Sequence, residues 1–169
     1  QVRESLGAIT QLTRAAQSEM RAFIFELRRD ALERGLVAAL AEQASTLGGP
    51  SGLTINVEGP DAPLAVDLRT EEELFAIGRE ALSNVVKHAA ASSATVRVEA
   101  HPERISLEVS DDGRGFDDTA ACPGHYGLES MRTRAADIGG DLTVRSTLGV
   151  GTVVRVEVPV ESMTASNGG

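Results

Sequence analysis

The chain has 169 residues, 41% of them apolar, enough for one ordinary domain with an appendage and a properly buried core. With no Trp, one Tyr and four Phe, that core has to be built from Leu, Val, Ile and Ala. A formal charge of -9 argues against a nucleic-acid backbone or an anionic membrane surface as the main partner, since both would repel the chain, and a polyanionic ligand would have to bring a cation with it.

The single Cys122 excludes an internal disulfide. There is no run of 18 apolar residues and no charged-then-apolar leader, so the chain reads as cytosolic. It starts at Gln1, already inside a helical pattern, which suggests a piece of something longer.

From the N-terminus, Val2, Leu6, Ile9, Thr13, Ala16, Met20, Phe23 and Leu27 alternate steps of four and three. That spacing is a heptad seam and wants a partner helix. Thr13 and Ala16 are weak knobs, which favours one helix of a bundle over a long two-stranded coil. A second helical stretch, Leu32 to Leu47, carries Leu32, Leu36, Leu40 and Leu47 and meets a stop signal in "GGPSG", Gly48 to Gly52.

The period then changes. "LTINVEG" alternates as a strand, "PLAVDL" is short and apolar, and Thr70 followed by Glu71, Glu72 and Glu73 predicts a helix start, running to about Ala91. "ATVRVEA" and "ISLEVSD" read as strands, followed by a Gly-rich loop from Asp111 to about Gly127 and a helix from about Leu128 to Ile138. Two last strands, "DLTVRS" and "GTVVRVEVP", are joined through Gly149, and the tail "ESMTASNGG" has a disordered composition. The expected fold class is α+β: a seam helix over 1–30, a linking helix and loop over 31–52, and a two-layer α/β sandwich over 53–160. A mostly antiparallel sheet would be covered on one face by the helices at 70–91 and 128–138.

At about 100° per residue, Glu73, Glu80, Asn84 and Lys87 share a narrow arc of the central helix, with His88 at its edge. Leu74, Ala81, Leu82 and Val85 fill the adjoining arc, so one side can seat on the sheet while its neighbour presents polar groups. Taken alone, that polar arc reads equally as a solvated face. "DDGRGF" adds Asp111, Gly113 and Gly115 at a strand end, where an acid can accept from an exocyclic amine and the glycines let backbone approach a ligand. "GHYGLESMR" puts Gly124 and Gly127 ahead of a helix, whose free N–H groups favour an anion. "LGVGT" adds Gly149, Gly151 and Thr152. No P-loop, C-x-x-C or H-E-x-x-H pattern occurs, and His101 beside Pro102 reads as a surface turn.

In order and spacing, "EALSNVVKHA", "DDGRGF", "GHYGLESMR" and "GVGT" resemble the nucleotide-binding boxes of the ATPase domain of two-component sensor histidine kinases, the Bergerat or GHKL fold. "NVVKHA" and "GHYGLESMRTRA" are similar to the subfamily that pairs with response regulators bearing a helix-turn-helix output domain. "SEMRAFIFELRRDALERGLVAAL" resembles its second dimerisation-bundle helix and the link to its ATPase domain. The resemblance spans about residues 10–159 and implies an ATP:protein-histidine phosphotransferase using ATP and Mg²⁺, a homodimer through the bundle, and no direct nucleic-acid contact.

Carried onto this chain, the resemblance makes Asn84 a Mg²⁺ ligand and Asp111 the acceptor of the adenine amino group. It makes Gly113, Gly115, Gly124 and Gly127 the hinges of a loop closing on the phosphates, with Leu128 and Gly151 beside the nucleotide. Lys87 and His88 would lie near the phosphate chain and Thr152 near the base. Glu80 would orient a metal-bound water or polarise the acceptor, or serve as a helix-surface salt-bridge partner. The family's acceptor histidine and its acidic neighbour are absent: the histidines are His88, His101 and His125, none on the seam helix. The resemblance therefore places the acceptor upstream of Gln1. Arg29 stands where the subfamily usually has Pro after "ELR", which implies a more continuous hinge helix. An ATP-hydrolysing clamp, an anti-sigma-type serine kinase and a non-catalytic dimerisation module remain as alternatives, the first two disfavoured by the seam helix and the last by the intact boxes.

Overall fold

A computed structural model describes residues 32–116 and 126–160. The seam helix, Arg29, the middle of the Gly-rich loop with Gly124 and His125, and the tail from 161 lie outside the described residues. From Arg34 onward the chain forms one compact unit. Its elements are α1 (Leu36–Ser51), β1 (Thr54–Glu58), α2 (Leu68–Asn84) continued by a π-helical turn (Val85–Ala89), β2 (Ser93–His101), β3 (Arg104–Asp111), α3 (Tyr126–Asp137), β4 (Asp141–Thr147) and β5 (Gly151–Pro159).

The strands form one sheet in the order β1-β2-β3-β5-β4. β1 runs parallel to β2 and every other pairing is antiparallel, as the alternating patterns and short connections require. Register aligns the apolar residues into rows across the sheet. One row is Val57, Val96, Val109, Val154 and Val144; the next is Val98, Leu107, Val156 and Leu142. Helices cover this face. Leu36 and Leu40 of α1, Leu74, Ile77 and Leu82 of α2, and Met131 of α3 are fully buried, each contributing about 1.5–3 kcal/mol of transfer free energy. The opposite face carries charges of alternating sign. Glu58, Arg97, Glu108 and Arg155 stand side by side, with Arg97 2.9 Å from Glu58 and Arg155 3.2 Å from Glu108. A two-layer sandwich follows because only one face of each strand is apolar.

Local chemistry moves three of the expected boundaries. Helix α1 begins at Leu36, after Gly35 at φ 86°, and runs through Gly48, Gly49 and Pro50. Its stop is Gly52, whose left-handed φ of 71° lets its N–H reach the Gly48 carbonyl, while the Ser51 hydroxyl donates to the Leu47 carbonyl at 2.7 Å. Helix α2 is capped by Asp67 in place of Thr70: the Asp67 carboxylate accepts the Thr70 N–H at 2.7 Å. Asp67 is the residue in extended conformation, which a cap requires. The same helix stops being α at Asn84, and the π turn that follows ends on Ala90 at φ 50°.

Candidate functional site

The C-terminal end of α2, the ends of β3 and β5 and the start of α3 enclose a cavity of about 360 Å³, within the size range of small-molecule sites. Apolar walls come from Ala81, Val85, Val109, Phe116, Leu128 and Val154, and the polar groups on it are few: Asn84, His88, Asp111, Arg114 and Thr152. Such a composition suits a flat heteroaromatic ring with a small number of hydrogen-bonding edges.

Asp111 ends β3, and the turn behind it is shaped by close approach. The Gly113 N–H donates to the Asp111 carboxylate at 2.8 Å, and the Thr152 backbone hydrogen-bonds it from β5. Burial pushes the Asp111 carboxyl up; these two backbone donors pull it back only in part, and the neighbouring Asp112 adds a small upward push. A partly desolvated acceptor facing an apolar cavity is the group that rewards a donor on a ligand. Gly113 has no room for a side chain, since a Cβ would meet the Ala89 carbonyl at 2.5 Å. Gly151, at φ 131°, packs against the Asp111 carbonyl, and Gly115, at φ 59°, packs against the Thr147 carbonyl. The glycines of the two boxes therefore hold the β3 end, the loop and the β4–β5 hairpin in van der Waals contact.

Asp112 does structural work beside it. Its carboxylate accepts from the Ser92 N–H at 2.8 Å, the Ser93 N–H at 2.9 Å and the Ser93 hydroxyl at 2.9 Å, and these bonds hold its carboxyl below the ordinary range. A depressed carboxyl supports the fold above its ordinary pKa and loses that support as pH falls through the folded value. Asp112→Ala is expected to speed amide exchange at Ser92 and Ser93 several-fold at neutral pH while leaving mid-strand amides of β3 and β5 protected. Hydrogen exchange followed by NMR checks this.

The polar arc of α2 is redistributed by the π turn. Widening the turn by about one residue reduces the step to roughly 80–85°, so Lys87 falls roughly 110° from Asn84 and His88 only about 30°. Both Lys87 and His88 are exposed, but His88 lines the cavity with Asn84 and Lys87 does not. Glu73 is engaged elsewhere, in a 2.7 Å ion pair with Arg134 that ties α2 to α3. The Glu80 carboxylate reaches from α2 to the start of α3: a Cβ on Gly127 would come 2.6 Å from its Oε1 and 3.4 Å from the Asn84 side-chain nitrogen. Asn84, Glu80 and Gly127 thus converge at one end of the site, and Asp111, Thr152 and Gly151 at another.

The sequence reading did not single out Arg114 or Ser146. The Arg114 N–H donates to the Ala89 carbonyl at 2.8 Å and its carbonyl accepts the Gly149 N–H at 2.7 Å, bridging the π turn and the hairpin tip. Ser146 sits opposite Thr152 in the hairpin. A count of three residues either side of Gly149 finds that pair, so the turn glycine carried the signal.

No cluster of three or more His, Cys, Asp or Glu able to hold a metal occurs among the described residues. The donor set instead fits an ion held mainly by phosphate and water, to which a protein adds one or two oxygens. Asn84, on the cavity wall, has a neutral amide oxygen of the kind such an ion takes.

Comparison with known proteins gives this site a family. The sequence profile described as "Histidine kinase-, DNA gyrase B-, and HSP90-like ATPase" matches residues 69–162, which contain every described element of the cavity. The chain is 38% identical over 146 residues to the sensor histidine kinase LiaS of Bacillus subtilis, covering 86% of this chain and 40% of LiaS. It is 32% identical over 167 residues to the nitrate/nitrite sensor protein NarX of Escherichia coli, covering 98% of this chain and 28% of NarX. It therefore spans less than half the length of these relatives. The histidine kinase domain of a blue-light activated histidine kinase from Erythrobacter litoralis superposes with a TM-score of 0.60 at 26% identity, covering 73% of this chain and 60% of that one. No helix among the described residues is long and apolar enough to cross a membrane. With the mixed sheet, its helical cover and the glycine-bounded cavity in place, the chain belongs to the histidine kinase-, DNA gyrase B- and HSP90-like ATPases, and its matched relatives are sensor histidine kinases.

Proposed function

We propose that this chain is the catalytic part of a sensor histidine kinase, which binds Mg·ATP and presents the γ-phosphoryl group to a histidine for relay to a response regulator. The observation that carries the reading is the Asp111 carboxylate, fixed by two backbone groups at an apolar cavity, with Asn84, Glu80 and Gly127 converging beside it. Asp111 accepts the adenine amino group and rejects guanine, which offers an acceptor at that position. Thr152 flanks the base. The start of α3 at Gly127, with Leu128 behind it, supplies free N–H groups to the phosphates. His88 lies toward the phosphate chain, with Lys87 reaching it only by bending back from solvent.

In the transfer, the imidazole nitrogen attacks the γ-phosphorus, the bond to the β-bridging oxygen breaks, and ADP leaves. When bound, Mg²⁺ neutralises the phosphate charge and orients the leaving group. The Asn84 side-chain oxygen would hold that ion at the cavity wall. Glu80 accepts the proton or orients a water beside the acceptor. The net charge of -9 is compatible with this ligand because the nucleotide arrives as its magnesium complex.

The heptad seam over residues 2–27 supports a homodimeric bundle in the parent protein, and "NVVKHA" supports a response regulator with a helix-turn-helix output domain. A cytoplasmic location suits both. The test is transfer in trans: the chain, Mg·[γ-³²P]ATP and the separately produced dimerisation domain of LiaS. Acid-labile, alkali-stable label on that domain supports the reading; phosphate release without labelling would move it to an ATP hydrolase in which Glu80 activates water.

Gly127→Ala probes Glu80 without touching it. The added methyl displaces the Glu80 carboxylate, a flexible end, so the fold survives. Expected is a roughly tenfold to hundredfold fall in transfer rate at saturating ATP, the scale of a positioned acid–base group, separate from any loss of ATP affinity through the neighbouring Asn84 and the start of α3. Calorimetry and radiolabel transfer separate the two.

A further inference from the structure

We propose that Ser146 is a positioning residue for adenine-nucleotide recognition, coupling the backbone at Phe116 to the base end of the cavity. The inference rests on the ATP-binding reading above and goes beyond it, because Ser146 belongs to none of the four boxes. Its hydroxyl is a junction. It accepts the Phe116 N–H at 2.9 Å, lies 2.9 Å from the Thr152 hydroxyl and 3.2 Å from the Gly151 carbonyl. Thr152 is its partner in β5, and the Thr152 backbone also hydrogen-bonds the Asp111 carboxylate.

Hydrogen-bond accounting then assigns directions. A serine hydroxyl has one proton and two acceptor sites. Phe116 fills one site. Where the Ser146 proton goes to the Gly151 carbonyl, the second site takes the Thr152 proton. Thr152 then turns only lone pairs toward the cavity, an arrangement that favours a ligand edge bearing donors, as an adenine amino group does. Phe116 is held at the same cavity by the first bond, and Gly115, just before it, packs against the Thr147 and Gly151 carbonyls. A single hydroxyl on the β4 edge thus fixes a wall residue, a base-facing hydroxyl and, through Thr152, the strand end that donates to Asp111.

The test compares the 169-residue chain with Ser146→Ala and Ser146→Thr. Mg·ATP and Mg·ITP affinities are measured by calorimetry, and amide exchange at Phe116, Thr152 and Val156 by NMR. Of the three hydrogen bonds lost in Ser146→Ala, the two that reach the cavity wall, to Phe116 and Thr152, at about 1 kcal/mol each correspond to a roughly tenfold to thirtyfold weaker Mg·ATP affinity for that variant. Its preference for ATP over ITP is expected to shrink, Phe116 exchange to quicken and Val156 to stay protected, with Ser146→Thr restoring affinity to within about threefold. Parent-like affinity and selectivity in Ser146→Ala, or unchanged Phe116 exchange, overturns the proposal. Loss of Val156 protection along with affinity also overturns it, by reducing Ser146 to a stability residue. Failure of the parent chain to bind Mg·ATP would instead sink the ATP-binding reading itself, which separates the two.

Discussion

Replacing Asp111 with Asn is expected to abolish measurable Mg·ATP binding, a loss of roughly a hundredfold or more, and to leave the protein folded. A hydrogen bond to a charged group is worth about 1.5–3 kcal/mol, and in this site the amide substitute can turn a donor toward the adenine amino group, adding a mismatch to the loss. The same change separates binding from stability. Burial holds the Asp111 carboxyl above its ordinary value, so ionising it works against the fold. For a raised carboxyl, stability is complete below the unfolded pKa and is lost as pH rises through the folded pKa. The ligand-free variant is therefore expected to melt above the parent at neutral pH, with the advantage vanishing below the ordinary carboxylate range. Thermal melts across pH and calorimetry with ATP read the two effects. Retained nucleotide affinity would remove Asp111 from base recognition.

Asn84→Ala is expected to erase the gain in ATP affinity that magnesium provides while changing metal-free binding little. It is also expected to cut phosphoryl transfer roughly a hundredfold to a thousandfold, the scale of losing one preorganised electrostatic contact. The reasoning rests on scarcity. The described residues offer no acidic cluster for a metal, so on the proposed reading the ion would depend on phosphates, water and a neutral oxygen at the end of α2, where Asn84 lines the cavity. Titrations in magnesium and in EDTA distinguish this outcome from a general loss of the site, in which both affinities fall equally.

That Asp111 and Asn84 line one cavity was legible in the sequence, because each sits in a pattern whose physical need is local: Asp111 at the end of an alternating strand before two glycines, Asn84 next to buried Val85. The strand assignments and the pairing through Gly149 follow from the same period-two patterning. The helix arcs were less readable. Counting at a fixed α step grouped Lys87 with Asn84, but the π turn takes Lys87 off the cavity wall and leaves His88, also exposed, on it, and nothing in "NVVKHA" announces one extra residue in a turn. Glu73 looked like a neighbour of the site and is the partner of Arg134 on α3, a contact 61 residues distant that periodicity cannot show. Asp67 and Thr70 are both capping residue types three positions apart, and only the extended backbone at Asp67 decides between them. Gly48 to Pro50 read as a stop, yet the helix continues to the one glycine, Gly52, that adopts the left-handed conformation and returns an N–H to the last turn.

The most direct test of the central claim is a calorimetric titration of Mg·ATP into the 169-residue chain, with Mg·GTP as control. A catalytic domain whose base pocket is set by Asp111 predicts saturable heat with ATP, none with GTP and no continuing heat of turnover. Equal heats from the two nucleotides, or no heat from either, would contradict it.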